Sequence, residues 1–221
     1  MRRLALLVLT SFCPLIALGQ ATFAPPTYSK TTVSFYLGVG TAFPIGPTHF
    51  GYESQLYDDW TSTRALAVSS ALGIHFLTIF EAQFLIDYTR FPFEQGPVLE
   101  NIPNIRTEGG AKRFFNFALG LKVSLLPRSS ISPYIRGYGG IFQVERRPLA
   151  LINTNTGTEA SIPVSKESAF GTGIGGGVSY KLSRNLGIFL ESHYIIGFTP
   201  EESIRYVPLR IGIMLFGTSD E

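Results

Sequence analysis

Hydrophobic and polar residues alternate along most of the chain after about the first twenty positions. In residues 80–89 one set of alternate positions is apolar, from Phe80 to Tyr88, and the other contains Glu81, Gln83 and Asp87. Successive side chains of a strand point to opposite faces, so a period of two predicts a two-faced strand. Seven further segments show the pattern, the last four more weakly: 64–76, 114–125, 186–197, 32–43, 132–146, 168–182 and 206–216.

The eight predicted strands are long, and their connections alternate in length. Each strand has about 10 to 14 residues, and a membrane-crossing strand needs about 9 to 11. The short connections lie near 77–78, 127–130 and 183–185, and the longer ones at 44–63, 91–110, 147–167 and 199–205. Short turns at one end and long loops at the other are typical of outer-membrane barrels. The sequence therefore predicts an all-β fold, an eight-stranded antiparallel up-and-down transmembrane β-barrel.

The composition decides which face of each strand looks outward. A soluble lipocalin-like barrel would also alternate, but its outer surface would carry many Lys and Glu residues. Here only 15% of residues are charged, and the polar faces consist mainly of small residues. Aromatic residues near the strand ends could form the interfacial girdles of a membrane barrel: Phe76, Phe80, Tyr88, Phe115, Tyr180 and Tyr194. We therefore expect the apolar faces to meet lipid.

The N-terminus has the pattern of a cleaved secretory signal peptide. Arg2 and Arg3 precede an apolar stretch over 4–18. Small residues precede a predicted cleavage site after Gly19. Cleavage there removes both arginines, so the net charge of +2 falls to 0 and indicates no affinity for nucleic acid. A lipoprotein signal at Cys13 is the alternative, although the preceding Phe12 is too bulky for one. The predicted organisation is a signal peptide at 1–19, a lead-in at 20–31, the barrel at 32–217 and a tail at 218–221.

Seven charged residues fall in the inward phase of the predicted strands. They are Glu81, Asp87, Lys122, Arg136, Lys181, Glu191 and Arg210. The interior of an eight-stranded barrel is just wide enough for side chains to fill it, and buried charges must pair. We expect a structural charge network that fills the lumen, with Arg136 or Arg210 beside Glu191; a proton or ion path is the alternative.

Motifs for catalysis or cofactor binding are weak. Glu191-Ser192-His193 contains the residue types of a hydrolase triad, but Ser192 points away from its two neighbours on a strand, so His193 is predicted to pack in the lumen. The glycine-rich run at 171–177 lacks the helix and the acidic residue of a dinucleotide site. One cysteine and three scattered histidines give no zinc spacing. No catalytic, cofactor-binding or metal-binding residue is predicted, and the protein is interpreted as non-enzymatic.

The first long predicted loop contains a cluster of aromatic residues. His49 lies there with Phe50, Tyr52, Tyr57 and Trp60. A folded loop cap is the favoured interpretation, and a sugar-binding platform is the alternative. Nearby Asp58, Asp59 and Glu53 lack the spacing of a calcium loop.

Three segments resemble known outer-membrane proteins. Residues 132–140 (SPYIRGYGG) are similar to a Pro-Tyr strand of small outer-membrane barrels, and residues 173–187 to their glycine-rich hairpin. The ending at 207–213 resembles the last strand of Bacteroidota-type outer-membrane β-barrel proteins, which include the PorT-like proteins. The family commonly ends in an aromatic residue that the barrel-assembly machinery recognises, whereas here Phe216 is followed by five more residues.

The resemblance implies an outer-membrane location in a Gram-negative bacterium, with membrane lipid and the barrel-assembly machinery as partners. The predicted function is a structural or surface-interaction role, in which long extracellular loops contact lipopolysaccharide or a surface protein. The first alternative is an accessory component of protein secretion, as the PorT-like resemblance implies. The second is a barrel enzyme that modifies lipid A or phospholipid.

Overall fold

A computed structural model of the protein describes residues 32–45, 65–92, 104–200 and 203–218. They form nine strands: β1 (Thr32–Pro44), β2 (Leu66–His75), β3 (Phe80–Pro92), β4 (Ile105–Ser124), β5 (Ile131–Asn153), β6 (Glu159–Ile162), β7 (Ser165–Lys181), β8 (Leu186–Phe198) and β9 (Ser203–Thr218). The predicted signal peptide, the lead-in, the His49 cluster and most of the predicted tail lie outside the described residues. Within these ranges, no helix is both long and apolar enough to cross a membrane.

Eight of these strands close into a barrel. The order β4-β3-β2-β1-β9-β8-β7-β5 is completed by pairing of β5 with β4, and every neighbouring pair is antiparallel. This confirms the predicted eight-stranded antiparallel up-and-down barrel. We call the end with the connections 76–79, 125–130 and 182–185 the short-turn end, and the opposite end the long-segment end.

The predicted connection at 147–167 is wrong, because much of it is strand. β5 runs on to Asn153, and β6 returns beside it with Leu149 opposite Ile162, so a hairpin projects from the long-segment end. Its turn is built by the Asn153 side chain, which accepts hydrogen bonds from the backbone of Asn155 and Thr156, and by Gly157, whose φ is +69°. Asn and Gly favour such turns, and this signal lay in the sequence.

The barrel is apolar outside and polar inside. Leu119 is 71% exposed on the outer wall, whereas Arg136 and Arg210 are 2% and 1% exposed inside. Large apolar side chains cover the rest of the outer wall, among them Leu72, Ile74, Phe84, Ile141, Ile174 and Ile211. Outward rings pair near the short-turn end, where Phe76 stacks on Phe80, and towards the other end, where Tyr88 contacts Phe115. This arrangement suits a barrel surrounded by lipid.

Glycines on the inward face leave room for large lumen side chains. A Cβ at Gly197 would lie 2.2 Å from the ring of Phe142, and one at Gly173 would lie 2.4 Å from Tyr138. The glycine-rich strand β7 therefore serves packing, in keeping with the absence of a nucleotide fingerprint.

Candidate functional site: the filled lumen

Six of the seven predicted lumen charges are buried inside the barrel. Glu81 and Asp87 come from β3, Lys122 from β4, Arg136 from β5, Glu191 from β8 and Arg210 from β9, and all are at most 4% exposed. Lys181 is the exception, because it is the last residue of β7. Its side chain is exposed at the short-turn end, where Nζ donates to the backbone carbonyl of Pro127 at 3.2 Å. The buried charges also include Lys112 on β4, which is 3% exposed and was not among the predicted residues.

Glu81 is the centre of a hydrogen-bonded cluster near the short-turn end. Its Oε2 accepts a hydrogen bond from the Tyr36 hydroxyl at 2.8 Å and lies 3.3 Å from Lys122 Nζ. Its Oε1 accepts from Gln83 Nε2 at 2.9 Å and from the Ser34 hydroxyl. Lys122 Nζ also donates to the Tyr36 hydroxyl at 2.7 Å. The carboxylate is therefore held by donors from three strands.

A second cluster fills the middle of the lumen around Glu191. Arg136 Nη1 donates to Glu191 Oε2 at 2.9 Å, and the Tyr134 hydroxyl donates to the same oxygen at 3.0 Å. Arg210 Nη1 lies 2.9 Å from Asp87 Oδ1 and 3.7 Å from Glu191 Oε1. Arg210 therefore joins the two carboxylates, and the cluster ties β3 to β5, β8 and β9.

The tyrosines Tyr36 and Tyr134 connect the two clusters. Lys122 Nζ lies 4.6 Å and 4.5 Å from the centres of their rings, and the Arg136 guanidinium lies 5.5 Å and 5.6 Å away. Cations at this distance from a ring face are attracted by its quadrupole. The sequence analysis did not include these tyrosines. Tyr134 could have been predicted to face the lumen, because it shares the inward phase of Arg136, as Tyr138 does.

The formal charges of the two clusters balance. Three carboxylates (Glu81, Asp87 and Glu191) meet three cations (Lys122, Arg136 and Arg210). An unpaired ion inside a barrel costs several kcal/mol, whereas a paired and hydrogen-bonded one is compensated. Without Lys181, the six predicted residues that are buried carry no net formal charge.

Aromatic rings close the lumen towards the long-segment end. Phe114 stacks on Phe142 at 5.6 Å and on Tyr206 at 5.5 Å, and Phe91 contacts Phe114 and Tyr206 edge to face. These four side chains are at most 4% exposed. The opposite end is open, with a cavity of about 540 Å³ lined by His75, Lys122 and Lys181 among others. The open space inside the described barrel therefore lies at the short-turn end, and rings close the opposite end.

The geometry of β8 does not form a hydrolase triad. His193 is buried inside, with its ring edge to face with Tyr138 and its Nε2 3.9 Å from Glu191 Oε2, while Ser192 lies on the outward face. At the mouth, His75 Nε2 lies 3.3 Å from Glu81 Oε2, but Ser34 donates to Glu81 and not to the histidine. Across the described part of the chain, no group of three or more His, Cys, Asp and Glu residues is arranged to hold a metal ion.

Comparisons with known proteins identify the fold. Ail, the attachment invasion locus protein of Yersinia pestis, matches with a TM-score of 0.51 at 10% identity over 86% of this chain and 100% of Ail. A second structure of Ail, in complex with the heparin analogue sucrose octasulfate, gives 0.50 at 11% identity over the same shares. Neisserial surface protein A gives 0.49 at 15% identity over 85% of this chain and 97% of that one.

At these identities the likeness to Ail shows the architecture alone, a small eight-stranded barrel of the outer-membrane type. No family model matches the chain, and no curated protein sequence is significantly similar to it.

Proposed function

We propose that this protein is a non-enzymatic outer-membrane barrel with a structural or surface-interaction role. The observation that carries the proposal is the combination of an apolar outer wall with a lumen filled by a neutral charge network and an aromatic layer. A filled lumen argues against a role as a wide pore, since water-filled channels need about 16 strands. The long-segment end is then the extracellular one, and it offers the projecting hairpin and the long connections to lipopolysaccharide or to a surface partner.

The absence of a pore is tested by single-channel recording of the purified full chain in planar bilayers. We expect no stepwise conductance with the wild type. The variant Phe114→Ala with Phe142→Ala removes two rings from the closing layer, and we expect a small conductance from it if it still folds. Ion steps with the folded wild type would overturn the proposed filled lumen.

The orientation is tested by labelling intact cells with a membrane-impermeant maleimide. With Cys13 replaced by serine, single cysteines are placed at Asn155 in the hairpin turn and at Ser129 in a short turn. We expect labelling at Asn155 alone. Labelling at Ser129 alone would reverse the proposed orientation and remove the surface role.

The enzyme alternative has the weaker structural support, because neither histidine in the lumen accepts a hydrogen bond from a serine that the structure describes. Mass spectrometry of lipid A and phospholipids compares the gene deletion with strains carrying His75→Ala or His193→Ala. We expect unchanged lipids in all three. A lipid species that disappears in the deletion and in one histidine variant would establish the enzyme instead.

An accessory role in secretion is the second candidate, and the resemblance of residues 132–140 and 207–213 to Bacteroidota-type barrels favours it. A signal peptide and the barrel-assembly machinery would bring such a protein to the outer membrane, as in the first proposal. Comparing the secreted proteins of the wild type and the deletion strain distinguishes the roles. Loss of a set of secreted proteins from the deletion strain would favour the secretion role.

A further inference from the structure

Three arginines line one concavity on the outer wall at the long-segment end. Arg90 on β3, Arg113 on β4 and Arg147 on β5 border a cavity of about 530 Å³ together with Gly109 and Val164. Gly109 and Gly110 have φ values of +83° and +75°, so β4 kinks at this place. A side chain at Gly109 would also press on the carbonyl of Pro148, at 2.9 Å. We call this concavity the arginine pocket.

The described residues do not balance the charges of the arginine pocket. Arg90 and Arg113 are register partners on neighbouring strands, and like charges placed opposite each other destabilise a sheet. Neither makes an ion pair with any residue that the structure describes, and the buried Nε of Arg113 has no hydrogen-bond partner among them. Glu145 is the register partner of Arg113 and lies 3.4 Å from Arg147 Nη1, so it offsets only part of the three positive charges. An anion in the pocket would relieve the repulsion.

The position of the pocket selects the kind of anion. Arg113 lies two residues before Phe115 on the same outward face. The ring of Phe115 contacts that of Tyr88 at 4.9 Å on the outer wall. Below this pair the wall carries the exposed apolar side chains of Phe84, Ile86 and Phe117. Aromatic pairs of this kind mark the level at which the hydrocarbon meets the headgroups. A ligand here would have an anionic head beside the arginines and acyl chains along the wall.

We infer that the arginine pocket binds the phosphate of a phosphorylated glycolipid of the outer leaflet. Guanidinium groups suit this ligand because their paired N–H donors match phosphate oxygens two at a time. The inference rests on the proposed orientation, since it places the pocket in the outer leaflet. It deepens the proposed surface role by naming the lipid partner and the residues that would hold it.

The test measures lipid binding to the purified full chain by native mass spectrometry from detergent. The probes are bisphosphorylated lipid A and lipid A with both phosphates removed, and inorganic phosphate is added as competitor. The proteins are the wild type, the triple variant Arg90→Gln, Arg113→Gln and Arg147→Gln, and the matched control Arg205→Gln. Arg205 is an exposed cation of β9 near the same end of the barrel but outside the pocket. A heat-dependent gel shift verifies that each variant is folded.

We expect bisphosphorylated lipid A to bind the triple variant at least about tenfold more weakly than the wild type, the factor that corresponds to about one charge-assisted hydrogen bond. The Arg205 variant should bind bisphosphorylated lipid A like the wild type. The wild type should bind dephosphorylated lipid A as weakly as the triple variant binds the bisphosphorylated form. Equal binding by the folded triple variant would overturn the inference. Displacement of lipid A by millimolar inorganic phosphate would also overturn it, because the pocket would then recognise free phosphate. Because binding to purified protein does not depend on cellular orientation, its failure is distinguishable from failure of the labelling experiment.

Discussion

Glu191 is the residue on which most of the central lumen contacts converge. It accepts hydrogen bonds from Arg136 and Tyr134 and lies 3.7 Å from Arg210. Replacing it by Gln keeps the shape and removes the charge that balances two buried guanidinium groups. Breaking a buried pair in this way costs about 3–5 kcal/mol.

We therefore expect Glu191→Gln to lower the free energy of unfolding by about this amount. Urea titration of the barrel in lipid vesicles, with folded and unfolded bands separated on a gel, measures it. Lys181→Gln is the control, because Lys181 is exposed and should change the value by less than about 0.5 kcal/mol. Equal effects of the two substitutions would show that the buried charges do not stabilise the barrel.

Gly197 tests how tightly the aromatic layer is packed. In Gly197→Ala the new methyl group would lie 2.2 Å from the fully buried ring of Phe142, so the ring must move. Overpacking of this kind costs about 1–3 kcal/mol. Gly137→Ala is the matched control on a barrel strand, because no atom lies within 4 Å of the added group. The same urea titration should separate the two variants, and indistinguishable midpoints would contradict the packing described here.

At the residue scale, alternation alone shows which way a side chain points but not how far along the barrel axis it lies. It places Arg136 and Lys181 in the same inward phase, yet one is in the middle of the lumen and the other is at its mouth. The contacts between Arg210 and Asp87 depend on the register of strands that are far apart in sequence. Phase follows from a period of two, whereas register depends on the closure of the whole sheet.

Among the elements, the β5–β6 hairpin is the one that the barrel does not need. β6 pairs with β5 alone. The same part of β5 also pairs with the start of β4, from Ile105 opposite Asn153 to Gly109 opposite Leu149, but the remaining β4–β5 pairs and all β5–β7 pairs lie below the hairpin. Replacing residues 150–161 by Asn-Gly joins the register partners Leu149 and Ile162 through a two-residue turn.

We expect this shortened protein to fold into a barrel with a midpoint in urea close to that of the wild type. A deletion of the same length within β8 (Leu186–Phe198) should abolish folding, because it opens the sheet. The gel shift between unboiled and boiled samples checks both variants. Loss of the folded band in the shortened protein would mean that the hairpin takes part in barrel formation.

Element boundaries show where sequence reasoning ends. β2 and β8 are found within about a residue or two of their predicted bounds. β4, predicted from residue 114 by an equally strict alternation, begins at Ile105 instead, within the predicted connection at 91–110. β5 was predicted to end at residue 146, because Pro148 and the following apolar residues break the alternation. That extension depends on pairing with β4 and β6, which is long-range information.

The described barrel joins an apolar outer wall to a lumen in which two charge clusters are each neutral. The low charge content of the sequence fits this arrangement, because the outer wall is apolar and the described interior holds three carboxylates and four Lys and Arg side chains. The fold could be predicted from alternation, strand length and connection length. The neutrality of the two charge clusters could not, because it requires knowing that Lys181 lies at the mouth.

The measurement that tests the central claim most directly is heat modifiability of the protein in isolated outer-membrane fractions. A closed barrel stays folded in detergent at room temperature and migrates faster than its boiled form. We predict two bands of different mobility, with the faster one in the outer-membrane fraction and absent after boiling. A mobility unchanged by boiling, with the protein in the soluble periplasmic fraction, would contradict the account of a membrane-spanning barrel.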